Sequence, residues 1–228
     1  MPENSNENII KLLQEKILLK KEVFDNTKIV FDELKKKLSV IAGDLKLSIK
    51  NINKESVTNY QDTGDYEAEF ILADETLLFA MHTNIFTFDN SNEIWKSKYV
   101  QQDTKRAFCG KIFIYNFLSD SFRYNRINDV GYLIARIFIN KEKHYFVEGK
   151  KQLGYLYNDF STSILDSENI GKILESAILY CLNFDPFTPP FESIEEISVK
   201  EVLEANIQSR IATGKRLGFQ FQEGNGEG

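Results

Sequence analysis

Residues 105–129 read "KRAFCGKIFIYNFLSDSFRYNRIND". Side chains of a β-strand alternate between two faces. Here both alternating sets are apolar, with Ala107, Cys109, Phe113 and Phe117 on one face and Phe108, Ile112 and Ile114 on the other. That is the composition of a central strand covered on both sides. The pair "SD" at 119–120 then reads as a tight connection into a second strand over 121–127. A sheet is therefore the centre of the fold, and its extent follows from the flanking sequence.

The two-residue period runs from about 56 to 158. It predicts strands at 56–61, 65–73, 76–81, 84–89, 94–100, 106–118, 121–127, 131–140 and 143–149, with a further one at 152–158. Short links such as "ADET", "NSNE" and "NKEK" suit antiparallel hairpins, and no strand–helix–strand alternation occurs. Both flanks are helical. Residues 1–54 carry one stripe at Ile9, Leu13 and Ile17, with Ser5 or Asn6 as N-cap, and a second at Val30, Leu34, Leu38, Ile41, Leu45, Ile49 and Ile52. "DNT" at 25–27 marks a break between two antiparallel helices; without it the segment is one long amphipathic helix. The second stripe suits either the protein's own sheet or a seam with a second copy.

After the sheet, Ile170, Ile173, Leu174, Ala177, Ile178 and Cys181 line a helix over 167–182 capped by Asp166 or Ser167. A Pro-rich connector, "NFDPFTPPF", leads to a further helix that starts at the Ser198/Glu201 capping box, stapled by Ile197 and Val202, and ends at Gly214. The expected fold is α+β: a curved antiparallel meander of about 7–9 strands with an N-terminal helix or helical hairpin and two C-terminal helices packed on it. The expected boundaries are 1–54, 55–158 and 159–215 within one folded domain, followed by a disordered tail at 216–228.

Composition narrows the function. The chain has 228 residues, 42% apolar, with two cysteines and a net charge of −6. Two cysteines do not make a disulfide framework, and "MPENSNENII" lacks the features of a secretory leader, so a cytoplasmic location without membrane insertion is expected. His82 and His144 have no zinc-ligand spacing. "TGKRLG" at 213–218 follows a helix and lacks the first glycine of a phosphate loop, and no G-x-S-x-G occurs.

Charge is strongly segregated, at +3 over 1–54, −8 over 55–104, +6 over 105–151 and −7 over 152–228. The basic block interleaves arginines and lysines with aromatic rings. Exposed on a sheet, Arg106, Lys111, Phe122, Arg123, Tyr124 and Arg126 would stack bases and neutralise phosphates, or meet an acidic protein. The expected function is a non-enzymatic interaction or regulatory protein that requires no cofactor. Its partner would be an acidic protein or nucleic acid, with the N-terminal helix forming a homodimer.

A different chemistry is written in Glu148-Gly149-Lys150, which resembles the Glu-x-Lys of PD-(D/E)xK nucleases. That resemblance implies a metal-dependent phosphodiesterase holding Mg²⁺ or Mn²⁺ on Glu148, with Lys150 orienting water. If "NKEK" at 140–143 closes the hairpin, Glu148 faces Ala135, and the nearest upstream acid, Asp129, lies roughly 20 Å away. The acidic partner of the motif is therefore missing at the required position.

Overall fold

The computed structural model describes residues 3–49, 58–127 and 129–184, together with the backbone pairing of 186–187 and 214–215. A single helix, α1 (Glu3–Ser48), forms the N-terminal arm. It continues through "DNT" because those residues are used elsewhere. Asn26 Nδ2 donates to the Lys141 carbonyl at 2.6 Å instead of capping a helix. The buried Thr27 hydroxyl donates back to the Val23 carbonyl at 2.7 Å.

Six antiparallel strands follow in simple meander order: β1 (Thr58–Gly64), β2 (Glu67–Leu72), β3 (Glu75–Met81), β4 (Cys109–Leu118), β5 (Tyr132–Asn140) and β6 (Tyr145–Gly149). Among the described residues, five short helical segments interrupt or flank them: α2 (Lys98–Gln102) between 3₁₀ turns at Glu93–Lys96 and Thr104–Ala107, α3 (Ser119–Arg123) and, after the sheet, a 3₁₀ turn at Lys151–Gly154. Helix α4 (Ser167–Leu182) begins where Asp166 accepts from the Asn169 amide at 2.8 Å.

The main core lies between one sheet face and the two long helices. Val30, Phe31, Leu34, Leu38 and Ala42 of α1 meet Phe70, Phe79, Ile112, Ile114 and Ile137, and α4 adds Ile170, Ile173, Leu174, Ala177 and Cys181. Val30, Leu34 and Leu38 of the second α1 stripe are thus buried on the protein's own sheet, Ile41 and Leu45 pack against the same core half-buried, and Ile52 lies outside the described residues. A glycine sets the distance of approach. A Cβ at Gly110 on β4 would lie 2.1 Å from Thr27 Oγ1, so α1 crosses β4 with only a hydrogen between them.

Four expected strands are absent. Residues 84–89 make only the Phe86–Cys109 bridge, and 94–100 becomes a 3₁₀ turn (Glu93–Lys96) plus α2. Asn92 starts that turn by accepting from the Ile94 amide. With Thr104–Ala107, this segment lays Val100, Ala107, Trp95 and Tyr99 over Cys109, Phe138 and Phe146 on the second sheet face. Its aromatic content serves packing on a sheet rather than membership of one. Residues 121–127 turn away as α3 because both sides of β4 are already taken by β3 and β5. The Ser119 amide donates to the Asp74 carbonyl at 2.7 Å, and Ser119 Oγ meets Thr76 Oγ1 at 2.8 Å, fixing that departure. Residues 152–158 lie beside β6, where Leu153 is buried under Gly149.

The expected helix at 198–213 and the tail at 216–228 fall outside the described residues. Gly214 and Lys215 pair with Phe187 and Pro186 as two short strands. Among the described residues no helix is long and apolar enough to cross a membrane.

Candidate interaction surface

The sheet face away from α1 and α4 carries the candidate site. On β4, Lys111, Phe113, Tyr115 and Phe117 point to this face and are half-buried. Cross-strand register extends each into a row. Glu69, Leu78, Tyr115 and Leu133 are successive neighbours, as are Glu67, Ala80, Phe113, Arg136 and Glu148. The rings form a ladder along β4. Phe113 and Tyr115 stack with centroids 5.8 Å apart, Tyr115 and Phe117 lie 6.5 Å apart, and Phe122 of α3 meets Phe117 edge-on at 5.1 Å. The α2 segment covers only the end of this face holding Phe138 and Phe146. Among the described residues, no long helix packs over Tyr115 or Leu133, and Leu133 is exposed.

The sequence-predicted residues are divided among three places. Arg106 belongs to a closed network. Its Nε donates to Glu142 Oε1 at 3.0 Å, its Nη1 donates to the Tyr99 carbonyl at 2.8 Å, and its guanidinium lies 4.2 Å from the Tyr99 ring centre. The Tyr99 hydroxyl donates to Glu142 Oε2 at 2.7 Å. Burial, reinforced by that carboxylate, pushes the Tyr99 hydroxyl well above its ordinary range. Lys141 closes the network on Asp103 at 2.5 Å and holds the Asp103 carboxyl below its usual value.

Phe122, Arg123, Tyr124 and Arg126 gather at the far end of β4, off any strand. Phe122 and Tyr124 are exposed. Arg123 approaches Asp120 at 3.4 Å with its side chain 60% exposed. Arg126 is 9% exposed, 3.9 Å from Asp129 and 5.5 Å from the Tyr124 ring centre. The expected face shared by Phe122, Tyr124 and Arg126 on one strand therefore does not exist. Phe122 and Arg126 instead line a 250 Å³ hollow with Phe117 and Ile127.

Lys111 is the predicted residue whose side chain points to this sheet face, at the end where Phe138, its cross-strand neighbour, and Phe86 lie. Its Nζ sits 3.3 Å from the Phe86 ring centre, and among the described residues no carboxylate is within 4.0 Å. Burial, with the Arg136 charge adding to it, lowers the Lys111 ammonium from its ordinary value. At the opposite side, burial and the neighbouring Glu67 raise Glu69.

Glu148 faces Arg136, not Ala135, and the two side chains form an ion pair. The hairpin closes through a three-residue loop, 141–143, with Lys143 at φ 61°, which moves the register by one from the expected pairing. Glu148 lines a 610 Å³ cavity with Glu93, Phe146 and Asp159. Lys150, beyond the end of β6, lines a separate one of 700 Å³ with Lys151, Tyr155 and Tyr180. Among the described residues no group of three or more His, Cys, Asp and Glu could hold a metal ion.

Sequence reasoning missed the open face because it took β4 as covered on both sides. The signal was present in the alternation Lys111, Phe113, Tyr115, Phe117, a lysine leading a row of rings. Compared with family models, curated proteins and solved structures, the chain gave no match.

Proposed function

We propose that this is a non-enzymatic interaction protein that docks an acidic partner protein on the face of its sheet away from α1 and α4. The observation that carries the reading is the half-buried ladder Phe113–Tyr115–Phe117, bordered by Leu78 and Leu133, over which no long helix packs among the described residues. Rings that bury large area at little entropic cost are the usual anchors of protein interfaces. Lys111 supplies the positive group for a partner carboxylate. Protein is favoured over nucleic acid by the charges. Arg106, Arg123, Arg126, Arg136 and Lys141 each lie within ion-pair distance of the chain's own carboxylates, while Glu67 and Glu69 flank the face and repel phosphate.

The test is selection of displayed peptides on the immobilised full chain, followed by fluorescence anisotropy of the winners. Selected peptides should carry apolar and acidic residues, and Tyr115→Ala should weaken them by at least about tenfold, as for a buried anchor. Lys111→Gln should weaken them less and reduce their salt dependence. Peptides indifferent to both substitutions would refute the site. Tight, steeply salt-dependent binding of a single-stranded oligonucleotide would favour nucleic acid instead.

A further inference from the structure

Two consecutive lysines follow β6 and line a cavity on the α4 side of the molecule, away from the aromatic ladder. The cavity has a volume of 700 Å³ and lies between the 3₁₀ turn at Lys151–Gly154 and the C-terminal half of α4. Its lining includes Lys150, Lys151, Gln152, Tyr155, Leu179 and Tyr180, and no carboxylate. Neighbouring side chains of an extended chain point to opposite sides. Lys150 is extended, but Lys151 sits at φ 47°, in the left-handed region that residues other than glycine seldom enter, and both residues reach one cavity. Backbone of this kind gathers at sites that hold ligands. The turn beneath the lysines is tightly closed. A Cβ at Gly154 would lie 2.3 Å from the Gly149 carbonyl oxygen, one at Gly149 would lie 2.6 Å from Leu153 Cβ, and the Leu153 side chain is buried.

We infer that this cavity binds a small organic monophosphate with a flat ring, of the nucleoside-monophosphate class, its phosphate held by Lys150 and Lys151 and its ring laid against Tyr155 and Leu179. Charge selects the anion. Among the described residues neither lysine has a carboxylate within ion-pair distance, whereas Arg106, Arg136 and Lys141 each have one. The cavity on the other side of β6, lined by Glu93, Glu148 and Asp159, has the opposite character and would repel the same ligand. Two ammonium point charges on separate stems suit a phosphate, while a planar carboxylate is matched best by an arginine fork, which this lining lacks. The apolar surface selects the ring. Tyr155 is 64% exposed and Leu179 55%, so an aromatic and an aliphatic face stand open beside the lysines. Tyr180 is half-buried, with the Phe184 ring stacked 6.2 Å away and Lys151 Nζ 5.8 Å from its own centre. Neither tyrosine hydroxyl nor the Gln152 amide has a hydrogen-bond partner among the described residues, which leaves them for a sugar or a ring edge. The volume lies within the range of about 300–1,000 Å³ that small-molecule sites occupy. Lys150 then acts as a phosphate contact and not as the water-orienting lysine of a nuclease.

Isothermal titration of the full chain tests this, with the four ribonucleoside monophosphates and flavin mononucleotide as probes. At least one should bind with a dissociation constant below about 1 mM, and added salt should weaken it. Inorganic phosphate and the matching phosphate-free nucleoside or riboflavin should each bind at least about tenfold more weakly, since each makes only part of the contacts. Lys150→Gln and Lys151→Asn should each weaken the bound probe by about tenfold, as for a lost charged hydrogen bond; asparagine tolerates the left-handed backbone. Tyr155→Ala should weaken it by at least about fivefold, as for a lost stacking surface. All three positions are exposed, so melting should be unchanged, and Lys98→Gln on α2 should leave binding as it is. No binding of any probe at millimolar concentration overturns the proposal. So does inorganic phosphate binding as tightly as the probe, or binding indifferent to both lysine substitutions or to Tyr155→Ala.

Discussion

Replacing Gly110 with alanine tests the contact on which α1 is seated. The new Cβ would stand 2.1 Å from Thr27 Oγ1, 2.8 Å from its Cβ and 2.9 Å from its Cγ2. Carbon atoms in contact prefer about 3.5–4.0 Å, so α1 and β4 must separate by roughly 1 Å at this crossing. Val30, Phe31 and Leu34 lie on the same helix within two turns and would lose contact with the sheet. Overpacking of this kind costs about 1–3 kcal/mol. Alanine would otherwise improve a strand by about 0.5–1 kcal/mol over glycine, since Gly110 has no positive φ to preserve. The net expectation is a loss of about 1 kcal/mol, read from urea unfolding followed by circular dichroism. Thr27→Gly removes all three clashing atoms, and in that background Gly110→Ala should become neutral or stabilising. The resulting coupling should exceed about 1 kcal/mol. A Gly110→Ala cost that is the same with and without the Thr27→Gly substitution would refute the claim that this one approach positions the helix.

Three further outcomes follow from charges at the site. Lys141 depresses the Asp103 carboxyl, so that pairing stabilises the fold above the unfolded value of about 4 and is lost as pH falls through the lower folded value; Lys141→Met should flatten stability against pH on the acid side of about pH 5. Glu69 is raised by burial and by Glu67, so its contribution is present below the unfolded value and is lost as pH rises through the folded one. Glu69→Gln should therefore raise the urea midpoint at neutral pH and leave it unchanged near pH 3. Since Arg136 occupies the position opposite Glu148, millimolar Mn²⁺ should leave the melting temperature unchanged; metal stabilisation or metal-dependent phosphodiester cleavage that disappears in Glu148→Ala would revive the phosphodiesterase reading.

The helices were the most legible part of the sequence. The apolar positions assigned to 167–182 are the ones that α4 buries, and its cap is Asp166, one of the two residues expected there. Helical periodicity needs only local spacing, and here the same stripe met a partner surface. The hairpins were legible where alternation coincided with a turn, as at Ala73 with φ 53° between β2 and β3. The failures share a cause. Residues 94–100 and 121–127 have the aromatic content of strands, but whether such a segment joins a sheet depends on a free neighbouring edge, which local spacing does not reveal. The site was read one step away from its position for a related reason. Ion pairs such as Arg106–Glu142 and Lys141–Asp103 join residues 36 and 38 apart in sequence. They neutralise much of a block that looked free when counted along the chain. The Glu148 register was lost to a single left-handed residue, Lys143, because a shift of one position transfers every side chain to the other face.

The order of the chain has its own consequence. Because α1 is made before the strands it leans on, which extend to Asn140, about 100 residues must be synthesised after Leu38 before its apolar side has a complete surface to meet. At about 5–20 residues per second, that is roughly 5–20 s of exposure at the ribosome. The newborn helix is therefore a natural client for a holding chaperone, and slowing translation before β5 should increase its aggregation.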